Sequence, residues 1–102
     1  MEGSTAQTES RAVIRPEADV VASSVGGLRS RMRGLMSAGI RDLVVDLTGV
    51  RMVDSAGLGL LISAHNSLRK TGGQISVVHA SPDVYELFRT MRIHQHFSVS
   101  GD

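Results

Sequence analysis

Apolar residues recur along this chain with two different periods, and the points where the period changes divide it into elements. Ala12-Val13-Ile14-Arg15 is a short extended run stopped by Pro16, and Ala18 to Val21 is a second. An edge strand tolerates a residue without an N–H, so the two runs predict a small antiparallel arrangement at one edge of a sheet. From Val25 the spacing becomes helical: Val25, Leu28, Met32, Leu35 and Met36 fall on one face, and Arg29, Arg31 and Arg33 lie off it as a solvated surface. Ser23 or Ser24 can cap this helix, and Gly39 is placed to end it in the left-handed conformation.

Leu43 to Leu47 is dense in branched residues and reads as a buried strand that breaks at Thr48-Gly49. A second helix is predicted from near Ser55 to about Thr71, with Leu58, Leu61, Ile62, His65 and Leu68 as its main stripe and Gly72-Gly73 as its stop. Gln74 to His79 is the next strand. Ser81-Pro82-Asp83 opens a third helix with a capping serine and a proline in the first turn, and its face is Val84, Leu87, Phe88 and Met91. Ile93 to Val99 has room for a short strand or a helical turn.

The order β-β-α-β-α-β-α predicts an α/β fold: a small, mixed, mostly parallel sheet with an antiparallel N-terminal edge, packed by three or more helices. Three helices are too few to cover both faces evenly. Residues 1–10 are small and polar and read as a disordered tail, leaving 11–99 as one domain.

Composition narrows the function. The 102 residues suffice for one core. Aromatic residues make up only 3%, which leaves few rings for base stacking, and the net charge of +1 indicates no phosphate-tracking face, so no nucleic-acid partner is expected. There is no cysteine, hence no disulfide or thiolate chemistry. No apolar run approaches the roughly 20 residues that span a bilayer, and the first residues lack the pattern of a secretion signal. The expectation is a cytoplasmic protein without membrane insertion.

Chemistry centres on the turn Asp54-Ser55-Ala56-Gly57, where a hydroxyl follows a buried strand and opens a helix. A nucleophile elbow needs glycine two before and two after the serine; Gly57 matches, but Val53 stands at the other place, and His65, His79, His94 and His96 show no convergence on Ser55. Gly57-Leu58-Gly59 begins a dinucleotide fingerprint that Ile62 does not complete. Asp46, near a strand end, lacks the acidic pair and lysine of a phospho-acceptor aspartate, the only lysine being Lys70. His94 and His96 are two ligands, too few for a metal site. The expectation is therefore no catalytic residue, no metal, no cofactor and no enzyme.

Two readings of Ser55 remain. Either Ser55 or Asp54 simply caps the helix, or Ser55 accepts a phosphate, which would add about −1.5 to −2 charges beside free N–H groups at the positive end of the helix dipole. The two are compatible.

The run from Leu43 to Gly59, Leu-Val-Val-Asp-Leu-Thr-Gly-Val-Arg-Met-Val-Asp-Ser-Ala-Gly-Leu-Gly, resembles the signature of the STAS domain, the fold of bacterial anti-sigma factor antagonists. The likeness extends from about Ala12 to Phe97 and includes the Gly72-Gly73 turn and the Ser81-Pro82-Asp83 helix start. The resemblance implies a partner-switching regulator. It binds an anti-sigma factor, itself a serine kinase of the histidine-kinase-like ATPase fold, is phosphorylated by it at the start of the second helix, and is restored by a metal-dependent serine phosphatase. The matching acceptor is Ser55, with Asp54, Ala56, Gly57 and Leu58 on the implied docking surface. Many relatives carry a second hydroxyl where Ala56 stands. Many also carry an aspartate before the first helix near the acceptor; here that position is Val21, with Asp19 two residues earlier. The alternative from the same resemblance is an unphosphorylated assembly module of a transport complex or signalling scaffold.

Overall fold

The computed structural model describes residues 4–7 and 10–101. The chain runs β1 (Ser4–Gln7), β2 (Arg11–Arg15), α1 (Val25–Ser37), β3 (Asp42–Asp46), α2 (Ser55–Arg69), β4 (Gln74–Val78), α3 (Pro82–Thr90), a 3₁₀ turn (Ile93–Gln95) and β5 (Ser98–Val99). The strands form one sheet in the order β1-β2-β3-β4-β5. Strands β2 to β5 are mutually parallel, and β1 lies antiparallel to β2 with Ser4 opposite Arg15.

Parallel register stacks the branched residues into rows. Ala12, Leu43 and Ile75 form one row and Ile14, Val45 and Val77 another, all on one face and all at most 1% exposed. The three helices close over these rows with Leu28 and Met32 from α1, Leu58, Leu61 and Leu68 from α2, and Val84 and Phe88 from α3. The alternate residues Val13 and Ser76, on the opposite face, are only half-buried, as expected of a layer with helices on one side.

The antiparallel edge differs from the sequence expectation. Ser4–Gln7, read as part of a disordered tail, is β1; backbone pairing holds it, and its small polar residues carry no apolar alternation to reveal it. Ala18–Val21, read as the edge strand's partner, is a loop that touches the sheet system through one parallel bridge, Val20 to Val53. Met91, placed on the α3 face by its spacing, follows the last helical residue and is 55% exposed.

Helix ends follow local chemistry. Gly39 adopts φ 98° just beyond α1, a conformation that costs a residue with a Cβ. Ser81 Oγ accepts from the Val84 N–H, with Pro82 at the first helical position. On the open face at the end of β3, Asp46 accepts from the Thr48 hydroxyl (2.6 Å) and N–H (3.0 Å) and pairs with Arg15 (3.0 Å). Burial alone would raise the Asp46 carboxyl, but the Thr48 bonds and Arg15 outweigh it and hold it below the usual carboxylate range.

His65 stands in for a missing strand. The Ile75 N–H, on the β5 side of β4, reaches His65 Nδ1 at 3.1 Å, and the imidazole is tilted against Phe97 with ring centroids 5.4 Å apart. A ring accepting at Nδ1 is neutral. Burial is the main cause that lowers its pKa, reinforced by Arg69 and His96 and opposed by a hydrogen bond to the His96 backbone. The folded state thus prefers the neutral ring, and its contribution is complete above the ordinary imidazole value of about 6.5 and shrinks as pH falls below it. Urea midpoints should therefore drop more between pH 7.5 and pH 5 for the wild type than for His65→Gln; equal drops would remove His65 as the cause.

Candidate functional site

Ser55 is the first residue of α2 and is exposed. The cap is Asp54: its backbone is extended, its Oδ1 accepts from the Gly57 N–H at 2.9 Å, and its carbonyl accepts from the Leu58 N–H at 2.9 Å. Among the described residues the Ser55 hydroxyl has no hydrogen-bond partner. Of the two capping candidates, Asp54 takes the role and Ser55 is left free.

The turn is braced by the loop that precedes α1, through an exchange of carboxylates. Asp54 Oδ2 accepts from the Ala22 N–H (2.9 Å), and in return Asp19 Oδ1 accepts from the N–H groups of Arg51 (2.8 Å) and Met52 (3.1 Å). Between these two clasps lies the Val20–Val53 bridge, with the Val20 N–H on the Met52 carbonyl (3.0 Å) and the Asp54 N–H on the Val20 carbonyl (3.3 Å). Ser24, the N-cap of α1 by position, gives that helix no side-chain cap; its Oγ accepts from the Val21 N–H and donates to the Asp19 carbonyl at 2.6 Å, tightening the same loop. The Asp54 carboxyl lies below its ordinary range because the Gly57 N–H, and then the Ala22 N–H, hydrogen-bond its ionised form.

These contacts revise the roles expected from sequence. The N–H groups expected to be free beside Ser55 are in part occupied, since Asp54 holds that of Gly57. Asp19 spends its Oδ1 on the 51–52 backbone, and Val21 is half-buried with its N–H on Ser24. Gly57 and Leu58 are buried, so neither belongs to an outward surface; a Cβ on Gly57 would collide with the Val20 carbonyl. Ala56 is half-buried against the core. What faces outward is Ser55 and the edge of Asp54, flanked by Ala22 and by Met52, a large apolar side chain left 57% exposed. Sequence reasoning missed Met52 and Ala22; the signal for Met52 was a long apolar residue in a turn between two valines that are both buried.

One cavity, of about 150 Å³, is lined by Pro16, Ala18, Asp19, Val20, Ser24 and Leu28 and so adjoins the loop that braces the turn; another, of about 110 Å³, lies between α1 and α2, and Ser55 lines neither. Among the described residues no group of three or more His, Cys, Asp or Glu is placed to share a metal ion, and no helix is long and apolar enough to cross a membrane. An exposed hydroxyl that lines neither cavity suits recognition by another protein better than enclosure of a small substrate.

A family model for the STAS domain matches residues 4–101. Similar solved structures include SpoIIAA, a Bacillus anti-sigma factor antagonist. Its unphosphorylated form aligns at 16% identity and TM-score 0.81, covering 94% of this chain and 85% of that one. Its phosphorylated form aligns at 16% and 0.74, covering 94% and 88%. An anti-sigma factor antagonist from Mycobacterium paratuberculosis aligns at 18% identity and TM-score 0.83, covering 96% of this chain and 83% of that one. The murine anion transporter solute carrier 26 family member A9 aligns at 18% and 0.75 over 92% of this chain but only 16% of its own. At these identities the likeness is one of fold. The match to the family model extends over almost the whole sequence, and the chain belongs to the STAS domain family.

Proposed function

We propose that this STAS domain acts as an anti-sigma factor antagonist in a bacterial partner-switching pathway, without enzymatic activity of its own. Its partner in this reading is an anti-sigma factor that is also a serine kinase of the histidine-kinase-like ATPase fold. The unphosphorylated domain binds it and frees the sigma factor, phosphorylation of Ser55 ends binding, and a metal-dependent serine phosphatase resets the switch. The observation that carries the reading is the placement of Ser55: exposed, unpartnered among the described residues, and held at a fixed position by the two carboxylate clasps. The docking surface is Ser55 with Asp54, Ala56, Met52 and Ala22, and Asp19, Val21, Gly57 and Leu58 shape it from beneath.

Electrostatics supports a switch at this turn. Asp54 is ionised, and a phosphoryl group on the neighbouring residue would take the local charge from −1 to about −2.5 to −3. A partner covering the turn would then have to desolvate that charge, at a cost of several kcal/mol unless cations oppose it.

A second reading has its own support. The likeness to the STAS region of an anion transporter fits an assembly module that is never phosphorylated. Incubation with candidate kinases and ATP separates the two: the first reading expects a mass gain of one phosphate on the wild type and none on Ser55→Ala. An unmodified wild type with every cognate kinase would favour the assembly module.

A further inference from the structure

The net charge of +1 conceals a strong asymmetry. Neither α1 nor α2 contains an acidic residue, while α1 carries Arg29, Arg31 and Arg33 and α2 ends in Arg69. Read along the sequence, Arg29, Arg31 and Arg33 lie off the apolar stripe of α1 and suggest only a solvated face. In three dimensions α1 packs beside α2 and a cleft of about 110 Å³ opens between them. Arg29 and Arg33, one helical turn apart, lie on one wall, and Ser63 and Ser67, also one turn apart, lie on the other. Its floor includes Met32 and Leu60, which are buried, so the cleft bottoms on the apolar core.

Both guanidinium groups are without a carboxylate among the described residues. Their walls supply donors in excess: two planar forks suited to bidentate carboxylate binding and two hydroxyls. A second feature connects the cleft to the acceptor turn. Ser55, Gly59, Ser63 and Ser67 follow at four-residue intervals along α2 and all are exposed, and a Cβ added at Gly59 would meet nothing within 4 Å. A partner seated on the Ser55 turn can therefore lie close along α2 and reach the cleft, roughly 12–18 Å away at 1.5 Å per residue.

We propose that the α1–α2 cleft is a second docking site, which takes an acidic segment of a protein partner, with carboxylates one helical turn apart engaging Arg29 and Arg33. The proposal rests on the reading of this chain as a protein-docking module, and not on phosphorylation of Ser55. A protein carboxylate is favoured over a nucleic acid or an anionic membrane because the cleft is narrow and carries two cations on one wall. Duplexes and lipid surfaces are gripped instead by broad faces of many.

The test is an amide-shift titration of the full chain at low salt with a short alanine-rich helical peptide bearing glutamates at i and i+4, alongside the same peptide with glutamines. The glutamate peptide is expected to shift Arg29, Arg33, Ser63 and Ser67, weakening as salt rises, and the glutamine peptide is expected to leave them unmoved. Arg29→Gln with Arg33→Gln should weaken binding at least tenfold. Ser63→Glu with Ser67→Glu, which places carboxylates in the cleft, should do the same, and Arg89→Gln, which removes a cation from α3 outside the cleft, should keep binding within a few fold. Equal shifts from both peptides, no shifts at all, or tighter binding to phosphatidylserine vesicles or duplex DNA than to the glutamate peptide would overturn the proposal. A positive titration with no kinase acting on Ser55 would keep the cleft and discard the switch; the reverse pair of results would do the opposite.

Discussion

Gly57→Ala should destabilise the domain by about 1–3 kcal/mol, the usual cost of forcing a methyl group into a filled space. The added Cβ would collide with the Val20 carbonyl and lie 2.9 Å from Val53 Cγ1 and 3.1 Å from the Val20 carbonyl carbon. Backbone yields less readily than a side-chain tip, and this backbone is pinned: Val20 is hydrogen-bonded to Met52 and Asp54, the Asp19 carboxylate before it accepts from Arg51 and Met52, and Ala22 after it donates to the Asp54 carboxylate. Relief therefore requires the loop before α1 to lift, breaking several hydrogen bonds worth about 1 kcal/mol each. For a domain of this size each kcal/mol lowers Tm by roughly 4–8 °C, so calorimetry would register the change easily. Gly59→Ala is the internal control. Two residues along the same helix its Cβ meets nothing, so it should be neutral or raise stability by about 0.5–1 kcal/mol through helix propensity. Equal stabilities for the two variants would show that the loop is not rigidly held against α2.

Ser55→Glu is expected to act on binding and hardly at all on folding. Because Asp54 caps α2 and Ser55 is exposed, replacing Ser55 removes no side-chain hydrogen bond, and the unfolding free energy should move by no more than the few tenths of a kcal/mol typical of surface changes. Affinity for the proposed anti-sigma factor should fall about a hundredfold or more, roughly 2.7 kcal/mol, as the partner meets a second carboxylate beside Asp54. Ser55→Ala, which adds no charge, should keep the affinity within a few fold. Titration calorimetry on the three proteins decides this. If the alanine variant loses as much as the glutamate variant, the hydroxyl is a direct contact and charge is not the signal.

The parts of this molecule legible in its sequence are those where one physical demand dominates. Buried strands such as Leu43–Leu47 and amphipathic helices such as Leu58–Leu68 advertise themselves because burial dictates residue type at a fixed period. Asp54 and Ser81 could be read as caps because helix N-termini need side-chain acceptors. Ala18–Val21 misled because its alternation resembles a strand, yet the residues are apolar for another reason: Val20 fills the core from a loop and is 1% exposed. β1 was silent because its residues, Ser-Thr-Ala-Gln, show no apolar alternation in the sequence. At the candidate site the sequence located the acceptor but not its setting. That Asp19 would bind the backbone across from it, at a separation of 32 residues, has no local signature. Nor does the approach of Gly57 to Val20, which only the packed chain reveals.

The bond from Ile75 to His65 also bears on self-association. β5 is only two residues long, so the outer side of β4 would otherwise offer part of an unpaired edge, the kind of template on which a foreign strand can add. A side-chain nitrogen occupies the first N–H on that side, and Ser100 takes the Val77 carbonyl at 2.9 Å farther along. The guard at the first position is a neutral imidazole rather than a strand, so it holds only while the ring is unprotonated. Acidification that charges His65 would uncover that N–H and loosen the tail packed against the ring through Phe97. Burial holds that ring neutral, so strand addition at this edge is expected to need acidification below the ordinary imidazole value of about 6.5.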